Sequence, residues 1–97
     1  MTEGVYHFKL YLIPGAPACE DALAKVNAYL GQSLPAGSYR LEIIDASKDR
    51  AQVAAADILI VPALVRVKPS PELRLIAELS DAKKIAAALR LPTKTRL

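Results

Sequence analysis

The sequence predicts an α/β domain in which a four-stranded mixed sheet carries helices on both faces. Two apolar segments separated by a proline-rich corner, between Ile58 and Leu79, are typical of a β-hairpin. Hydropathy alternates at every second residue from Tyr6 to Ile13, as in a strand, and an amphipathic helical pattern follows from Pro17. These elements give the remaining segments a sheet and a helix to pack against.

The length, composition and net charge of the chain limit the kinds of protein that it can be. With 97 residues, 53% of them apolar, we expect a single domain over 1–97, with an ordered core over about 5–91 and a basic tail over 92–97. A net charge of +3 favours neither nucleic acid nor a membrane surface as a partner. The single cysteine, Cys19, cannot form a disulfide within the chain, and no apolar run reaches the roughly 20 residues that span a bilayer. We therefore expect a cytoplasmic protein.

The first strand and helix have complementary apolar faces. The strand Tyr6–Ile13 has large apolar side chains on both faces toward its end, which is typical of an interior strand. Pro14 and Gly15 end the strand, and Pro17 suits the first turn of a helix that ends near Gly31. The expected buried stripe of this helix consists of Cys19, Ala22, Leu23, Val26, Tyr29 and Leu30.

The second strand and helix follow a loop. The segment YRLEIID alternates so that Tyr39, Leu41 and Ile43 point inward. Ser47 is the expected N-cap of a short alanine-rich helix that continues through Ala56.

The hairpin and a last helix complete the chain. The charged and apolar residues of Ala63–Lys68 alternate as in a strand that leaves the core, and the corner 68–72 keeps its prolines off the ladder interior. The second hairpin strand should span Leu73–Leu79. Ser80 and Asp81 then cap a last helix, whose apolar stripe consists of Ala82, Ile85, Ala86 and Leu89.

The resulting order, β-α-β-α-β-β-α, is the thioredoxin-like arrangement. Thioredoxin-like oxidoreductases carry two cysteines, two residues apart, in the turn after the first strand. Here Ala16 stands at the nucleophile position and Cys19 at the resolving position, which excludes dithiol exchange. We interpret Cys19 as a small core residue, with one-thiol chemistry as the alternative.

Other catalytic patterns are missing from the sequence. His7 is the only histidine, and its strand position favours a structural or solvent-edged side chain over a general base. No group of His, Cys, Asp and Glu has metal-ligand spacing, and Gly15 alone does not make a phosphate loop. We therefore expect no catalytic residue, no metal and no cofactor.

Basic residues of the hairpin form a candidate docking patch. Arg66, Lys68 and Arg74 lie on adjacent predicted strands and could form one basic strip. A solvated strand face is the simpler interpretation of the same pattern. With Lys9 of the first strand, these are the candidate partner-binding residues.

Several stretches of the chain form a recognisable set. They are YHFKLYL, YRLEIID, VPALVRV, the corner with Pro69 and Pro71, LIAELSDAKKI, and Ala22, Leu23 and Asn27 in the first helix. Together they resemble the KaiB family of circadian clock proteins. The similarity covers Tyr6 to Leu91, with one small length difference in the Gly31–Ser38 loop. The same domain is similar to the sensor segment of the clock histidine kinase.

The resemblance implies a non-enzymatic partner of KaiC, the hexameric ATPase of the clock, with a KaiA-like protein or a clock histidine kinase as further partners. It also implies two folds, namely a ground-state tetramer with a rearranged second half and a thioredoxin-like monomer that binds KaiC. Pro62, Pro69 and Pro71 are the family positions at which proline isomers could distinguish the two states.

Departures from the family pattern favour the thioredoxin-like monomer as the resting state. Ser70 interrupts the family's three-proline corner, and Ala88 and Arg90 stand where glycine and aspartate are frequent. Alanine in place of glycine stabilises a helix by roughly 1 kcal/mol. Arginine near a helix C-terminus adds about 0.3–1 kcal/mol.

Other departures bear on the partner. Asp21, Glu42 and Asp57 stand where the family commonly has basic residues, and Lys94 and Arg96 replace an acidic tail. Because charge reversals can reject a partner, three hypotheses remain open. The chain binds a KaiC-like ATPase, it is an adaptor for another signalling protein such as a histidine kinase, or it is a one-thiol redox protein.

Overall fold

The computed structural model describes residues 6–35, 37–76, 79 and 81–91. Its elements confirm the predicted β-α-β-α-β-β-α order. They are β1 (Tyr6–Leu12), α1 (Pro17–Ser33), β2 (Tyr39–Asp45), α2 (Arg50–Ala55), β3 (Ala63–Lys68), β4 (Leu73–Ile76) and α3 (Ala82–Leu89).

The four strands form one mixed sheet in the order β2-β1-β3-β4. The β1–β2 pair is parallel, whereas β1–β3 and β3–β4 are antiparallel. The central position of β1 explains its sequence, since Leu10 on one face and Tyr11 on the other are both buried. The peptide bonds that precede Pro62, Pro69 and Pro71 are cis.

One face of the sheet, here called the α1/α3 face, carries the larger core. Phe8, Leu10 and Leu64 from the sheet pack there against α1 and α3. The predicted stripe of α1 is confirmed, because Cys19, Ala22, Val26 and Leu30 are buried, and Leu23 and Tyr29 are partly buried against the same cluster. The helix continues past Gly31 to Ser33, two residues beyond its predicted end.

The opposite face, here called the α2 face, carries a smaller core. Tyr11, Ile44 and Val65 pack there with Ile58, and α2 contributes only the partly buried Val53. The six residues of α2 include none that is fully buried. Tertiary burial therefore holds α2 much less firmly than α1.

The predicted N-cap of α2 is wrong. Asp49, not Ser47, caps the helix, and its side chain accepts a hydrogen bond from the Gln52 backbone N–H. Ser47 instead donates its backbone N–H and hydroxyl to Asp45 Oδ1, at 2.9 and 2.6 Å. These bonds stabilise the carboxylate and lower the pKa of Asp45. A turn over residues 46–48 thus separates β2 from α2.

Burial along β2 and the length of β4 differ from the predictions. Ile43 lies in register with Leu10 on the α1/α3 face but is 45% exposed, because β2 is an edge strand, whereas Ile44 is buried beneath α2. The strand predicted over Leu73–Leu79 is observed only over Leu73–Ile76, and the buried Leu79 lies in a turn. Residues 77, 78 and 80 lie outside the described residues, as do 1–5 and the predicted tail 92–97.

The last helix is capped by Asp81, whose side chain accepts hydrogen bonds from the backbone N–H groups of Lys83 and Lys84. Ala88 lies within α3, as predicted. Arg90 follows the helix in the left-handed region, at φ 53°. Because this conformation costs an L-residue about 1 kcal/mol or more, it offsets the gain expected from a positive charge at the helix end.

Candidate functional site

The turn between β1 and α1 holds the residues that a thioredoxin-like enzyme would use. Cys19 is only 3% exposed, and its Sγ accepts a hydrogen bond from the Ile13 backbone N–H at 3.3 Å. Ala16 occupies the N-cap of α1 and brings no side-chain donor or thiol. The geometry makes Cys19 a packing residue of the α1/α3 face.

His7 lies on the other side of the sheet from Cys19. Strand alternation places it on the α2 face with Lys9 and Tyr11, and its Nε2 lies 3.4 Å from Glu42 Oε1 on β2. The ring is thus paired across the β1–β2 ladder with a carboxylate, and the sheet separates it from the thiol. His7 and Cys19 cannot act on one substrate atom.

Two further observations concern residues 6–35, 37–76, 79 and 81–91. In these ranges, no group of three or more His, Cys, Asp and Glu residues is arranged to hold a metal ion. In the same ranges, no helix has the length and apolarity needed to cross a membrane.

The four basic residues proposed as partner-binding do not form one strip. The β3–β4 register pairs Val65 with Arg74 and Arg66 with Leu73, so the two arginines lie on opposite faces of the sheet. Lys9 shares the face of Arg74, and Lys68 lies beyond a register shift in the β1–β3 ladder, where it pairs with His7. The structure therefore separates Arg66 from Arg74, and the predicted strip of Arg66, Lys68 and Arg74 is not formed.

Arg66 serves the hairpin itself. Its side chain is 5% exposed, and its Nη2 donates to the Pro71 carbonyl oxygen at 3.1 Å. Its Nε is buried without a hydrogen-bond partner in the described part of the chain. Arg66 ties the proline corner to β3 and is not accessible to a large partner. Lys68, the first residue of that corner, is exposed.

Arg74 joins β4 to the end of α2. Its Nη2 donates to the Ala56 carbonyl oxygen and to Glu72 Oε2, both at 2.9 Å, and its Nη1 lies 3.4 Å from the Asp57 carbonyl oxygen. The last carbonyls of a helix have no partner within the helix, so a guanidinium is a favourable cap for them. Asp57 itself has a left-handed φ of 58°.

Lys9 contacts the opposite side of α2. Its Nζ donates to Gln52 Oε1 at 2.7 Å, and Gln52 Nε2 donates in turn to Asp49 Oδ2 at 2.8 Å. The N-cap residue of α2 therefore orients the amide that receives the ammonium. Lys9, Val65 and Arg74 are neighbours in one row across the sheet.

These contacts frame a groove on the α2 face with a volume of about 430 Å³. The residues of β1 and β3 form its floor, and α2 and the start of β4 form its walls. Tyr11 is part of this floor, and its pKa is raised by burial and, to a smaller extent, by the negative charge of Glu72. The groove is lined by Lys9, Tyr11, Gln52, Ala55, Ala56, Asp57, Val65, Val67, Glu72 and Arg74.

The sequence did not reveal the groove or the apolar residues exposed near the end of β1. Gln52 and Glu72 carry no motif, and their role depends on the strand register. Leu59 and Ile60 belong to the apolar segment that begins at Ile58, but they lie before β3 and are 86% and 58% exposed. The predicted corner did not provide the signal, because pairing outward from 68–72 would set Arg66 opposite Arg74, whereas the observed register pairs Arg66 with Leu73.

Comparison with known proteins agrees with this architecture. The KaiB domain family model matches residues 9–91. The circadian clock oscillator protein KaiB of Cyanothece sp. is 34% identical over 86 residues, which cover 89% of this chain and 81% of that protein. KaiB1 of Synechocystis sp. is 33% identical with the same coverage of both chains.

Solved structures show the same fold at low sequence identity. The N-terminal domain of Synechococcus elongatus SasA superposes with a TM-score of 0.74 at 18% identity, over 89% of this chain and 84% of that domain. Fasciola hepatica thioredoxin gives a TM-score of 0.71 at 15% identity, over 91% and 81%. The fold is thus thioredoxin-like, and the family match and the identities over most of the chain show that this protein belongs to the KaiB family of circadian clock proteins.

Proposed function

We propose that this chain is a non-enzymatic clock-type protein that binds a KaiC-like hexameric ATPase and modulates its phosphorylation and ATP cycle. The observation that carries the proposal is the KaiB match over residues 9–91, on a thioredoxin-like fold in which the thiol of Cys19 is buried. A protein of this kind acts by presenting a surface. The SasA domain has the same fold, which agrees with a thioredoxin-like surface as the acting part of the molecule.

The absence of catalysis is supported by the positions of the reactive side chains. Cys19 is buried and lacks a second thiol at Ala16, and the sheet separates it from His7. A thiolate must be accessible to attack a disulfide. An insulin-reduction assay should therefore show no turnover, and turnover that disappears in Cys19→Ser would overturn this part of the proposal.

The partner surface includes exposed groups that have no structural duty. Lys68 is exposed and makes no side-chain hydrogen bond to the described residues, whereas Arg66 and Arg74 are held by backbone oxygens. We assign Lys68 to partner contact, whereas Lys9, which donates to Gln52, and the two arginines shape the surface. Glu42 and Asp57 make the surface more acidic than the family pattern, so the partner carries complementary charge there.

The resting state that we propose is the thioredoxin-like monomer. Ala88 lies inside α3, where alanine favours the helix. Pro62, Pro69, Pro71 and Arg90 remain the positions at which a second fold would differ. Sedimentation and backbone chemical shifts test this state, and a tetramer whose last ten residues are extended would contradict it.

The direct test is co-elution with the KaiC-type proteins of the same organism, with and without nucleotide. We expect a complex with at least one of them and a changed rate of ATP hydrolysis. Lys68→Glu should weaken binding about tenfold or more because it reverses a contact charge, and Lys48→Glu, at another exposed lysine, is the matched control. No complex in either nucleotide state would refute the proposal.

The second candidate function is that of an adaptor for another signalling protein, such as a histidine kinase. The observation that favours it is the set of acidic residues at Asp21, Glu42 and Asp57, where the family commonly has basic residues. Co-elution with a histidine kinase and not with KaiC-type proteins would select this candidate.

A further inference from the structure

The groove on the α2 face has the size and lining of a small-molecule site. Its volume of about 430 Å³ lies within the range of roughly 300–1,000 Å³ that is usual for ligand pockets. Tyr11, Val65 and Val67 give it an apolar floor, and Ala55 and Ala56 give it a wall with short side chains. The other five of its ten lining residues, Lys9, Gln52, Asp57, Glu72 and Arg74, are charged or carry an amide and can fix the polar group of a ligand.

Lys9 is the cation that this groove leaves without a carboxylate. Its ammonium group has three donors and makes its described hydrogen bond to the neutral amide of Gln52. Glu42 is the cross-strand neighbour of Lys9, but its carboxylate is paired with His7. No carboxylate of the described residues lies within ion-pair distance of Lys9 Nζ, so the charge is available to a ligand.

The other charges of the groove lie on the opposite wall. Arg74 is bonded to Glu72 and to the end of α2, and Asp57 lies beside it. The two carboxylates balance the guanidinium and repel an anion from that wall. An anionic ligand group is therefore directed toward Lys9. Tyr11 also lines the groove, and its phenolic hydroxyl can serve as a second donor there.

We propose that this groove binds a small organic acid whose carboxylate contacts Lys9 and whose aryl or branched alkyl body lies on Val65 and Val67. The apolar floor supplies burial, and the ammonium supplies a charge-assisted hydrogen bond to the carboxylate. This site does not depend on the proposed binding of an ATPase. Either proposal can fail while the other stands.

The test is an NMR titration of the full chain with phenylacetate, using phenylacetamide as the uncharged probe of the same shape. We expect saturable shifts of the backbone amides of Lys9, Gln52, Val65 and Val67 with the acid, and much weaker shifts with the amide. Lys9→Met should weaken phenylacetate binding about tenfold or more, since a hydrogen bond to a charged group is lost. Lys68→Met removes a lysine outside the groove and should leave the affinity unchanged.

A second variant fills the groove without removing a charge. Ala55 is exposed on α2, and Ala55→Leu keeps a good helix former while occupying the space of the ligand body. It should abolish the shifts and preserve the rest of the amide spectrum. Equal binding of acid and amide, unchanged affinity in Lys9→Met, or no saturation up to the solubility of phenylacetate would each overturn the proposal.

Discussion

The two faces of the sheet differ in the forces that cover them. On the α1/α3 face, a 17-residue helix and an eight-residue helix bury aliphatic side chains against Phe8, Leu10 and Leu64. On the α2 face, a six-residue helix without a fully buried residue is attached by polar contacts of Lys9 and Arg74. The first face supplies stability through apolar burial, and the second leaves part of the sheet open for recognition.

This difference has an energetic reason. Burying a large aliphatic side chain stabilises a fold by about 1.5–3 kcal/mol, whereas a typical hydrogen bond contributes about 0.5–1.5 kcal/mol net. A helix held mainly by polar contacts is therefore the weaker attachment. It is also the place where a ligand or partner can compete with intramolecular bonds.

The largest expected effect is a loss of packing on the α1/α3 face. Leu30 is fully buried in α1, so Leu30→Ala should lower the free energy of unfolding by about 2–5 kcal/mol, as lost burial and a cavity combine. Urea unfolding followed by circular dichroism measures the change. The same substitution at Leu59, which is 86% exposed, should change stability by less than about 0.5 kcal/mol. Equal effects at both positions would contradict the comparison.

A smaller effect tests the polar attachment of α2. Arg74→Met keeps an apolar stem but removes the hydrogen bonds to Ala56, Asp57 and Glu72. We expect a loss of about 1–2 kcal/mol, because the carbonyls at the helix end lose their cap. Hydrogen exchange should accelerate in α2 and remain unchanged in α1. Lys68→Met is the matched control, and faster exchange in both helices of Arg74→Met would argue against a local attachment.

The smallest expected effect is a gain in stability at the end of α3, on the α1/α3 face. Arg90 leaves α3 with a φ of 53°, a conformation that glycine adopts without steric cost. Arg90→Gly should therefore raise the free energy of unfolding by about 0.5–1 kcal/mol. Arg90→Val, which places a β-branched side chain there, should lower it. Thermal unfolding of both variants gives the sign, and a destabilised Arg90→Gly would show that the charge at this position matters more than the backbone.

Much of the fold could be predicted because hydrophobic periodicity reports burial directly. The stripe of α1 at Cys19, Val26 and Leu30 and the double-sided pattern of β1 identified a helix and a central strand. The hairpin was recognised from its proline corner, and β3 has the predicted bounds, Ala63–Lys68. The predicted order of the elements indicated the thioredoxin-like topology, which the observed strand order confirms.

The remaining errors concern features that periodicity does not encode. Alternation assigned Ile43 to the correct face, but it carries no information on whether an edge strand is covered. Ser47 and Asp49 are both good N-caps, and only the turn before α2 decides between them. The prediction of one basic strip was wrong because the hairpin register places Arg66 and Arg74 on opposite faces of the sheet.

The guanidinium of Arg74 connects two elements that are far apart in the sequence, β4 and α2. It lies on β4, yet it closes α2, a helix that precedes it by almost twenty residues, as the separation of 18 between Arg74 and Ala56 records. Displacing β4 from the sheet therefore also removes the hydrogen bonds that cap the end of α2. The two walls of the groove would then move apart together. Arg74 thereby couples the position of β4 to that of α2, although Lys9 keeps a second contact with this helix.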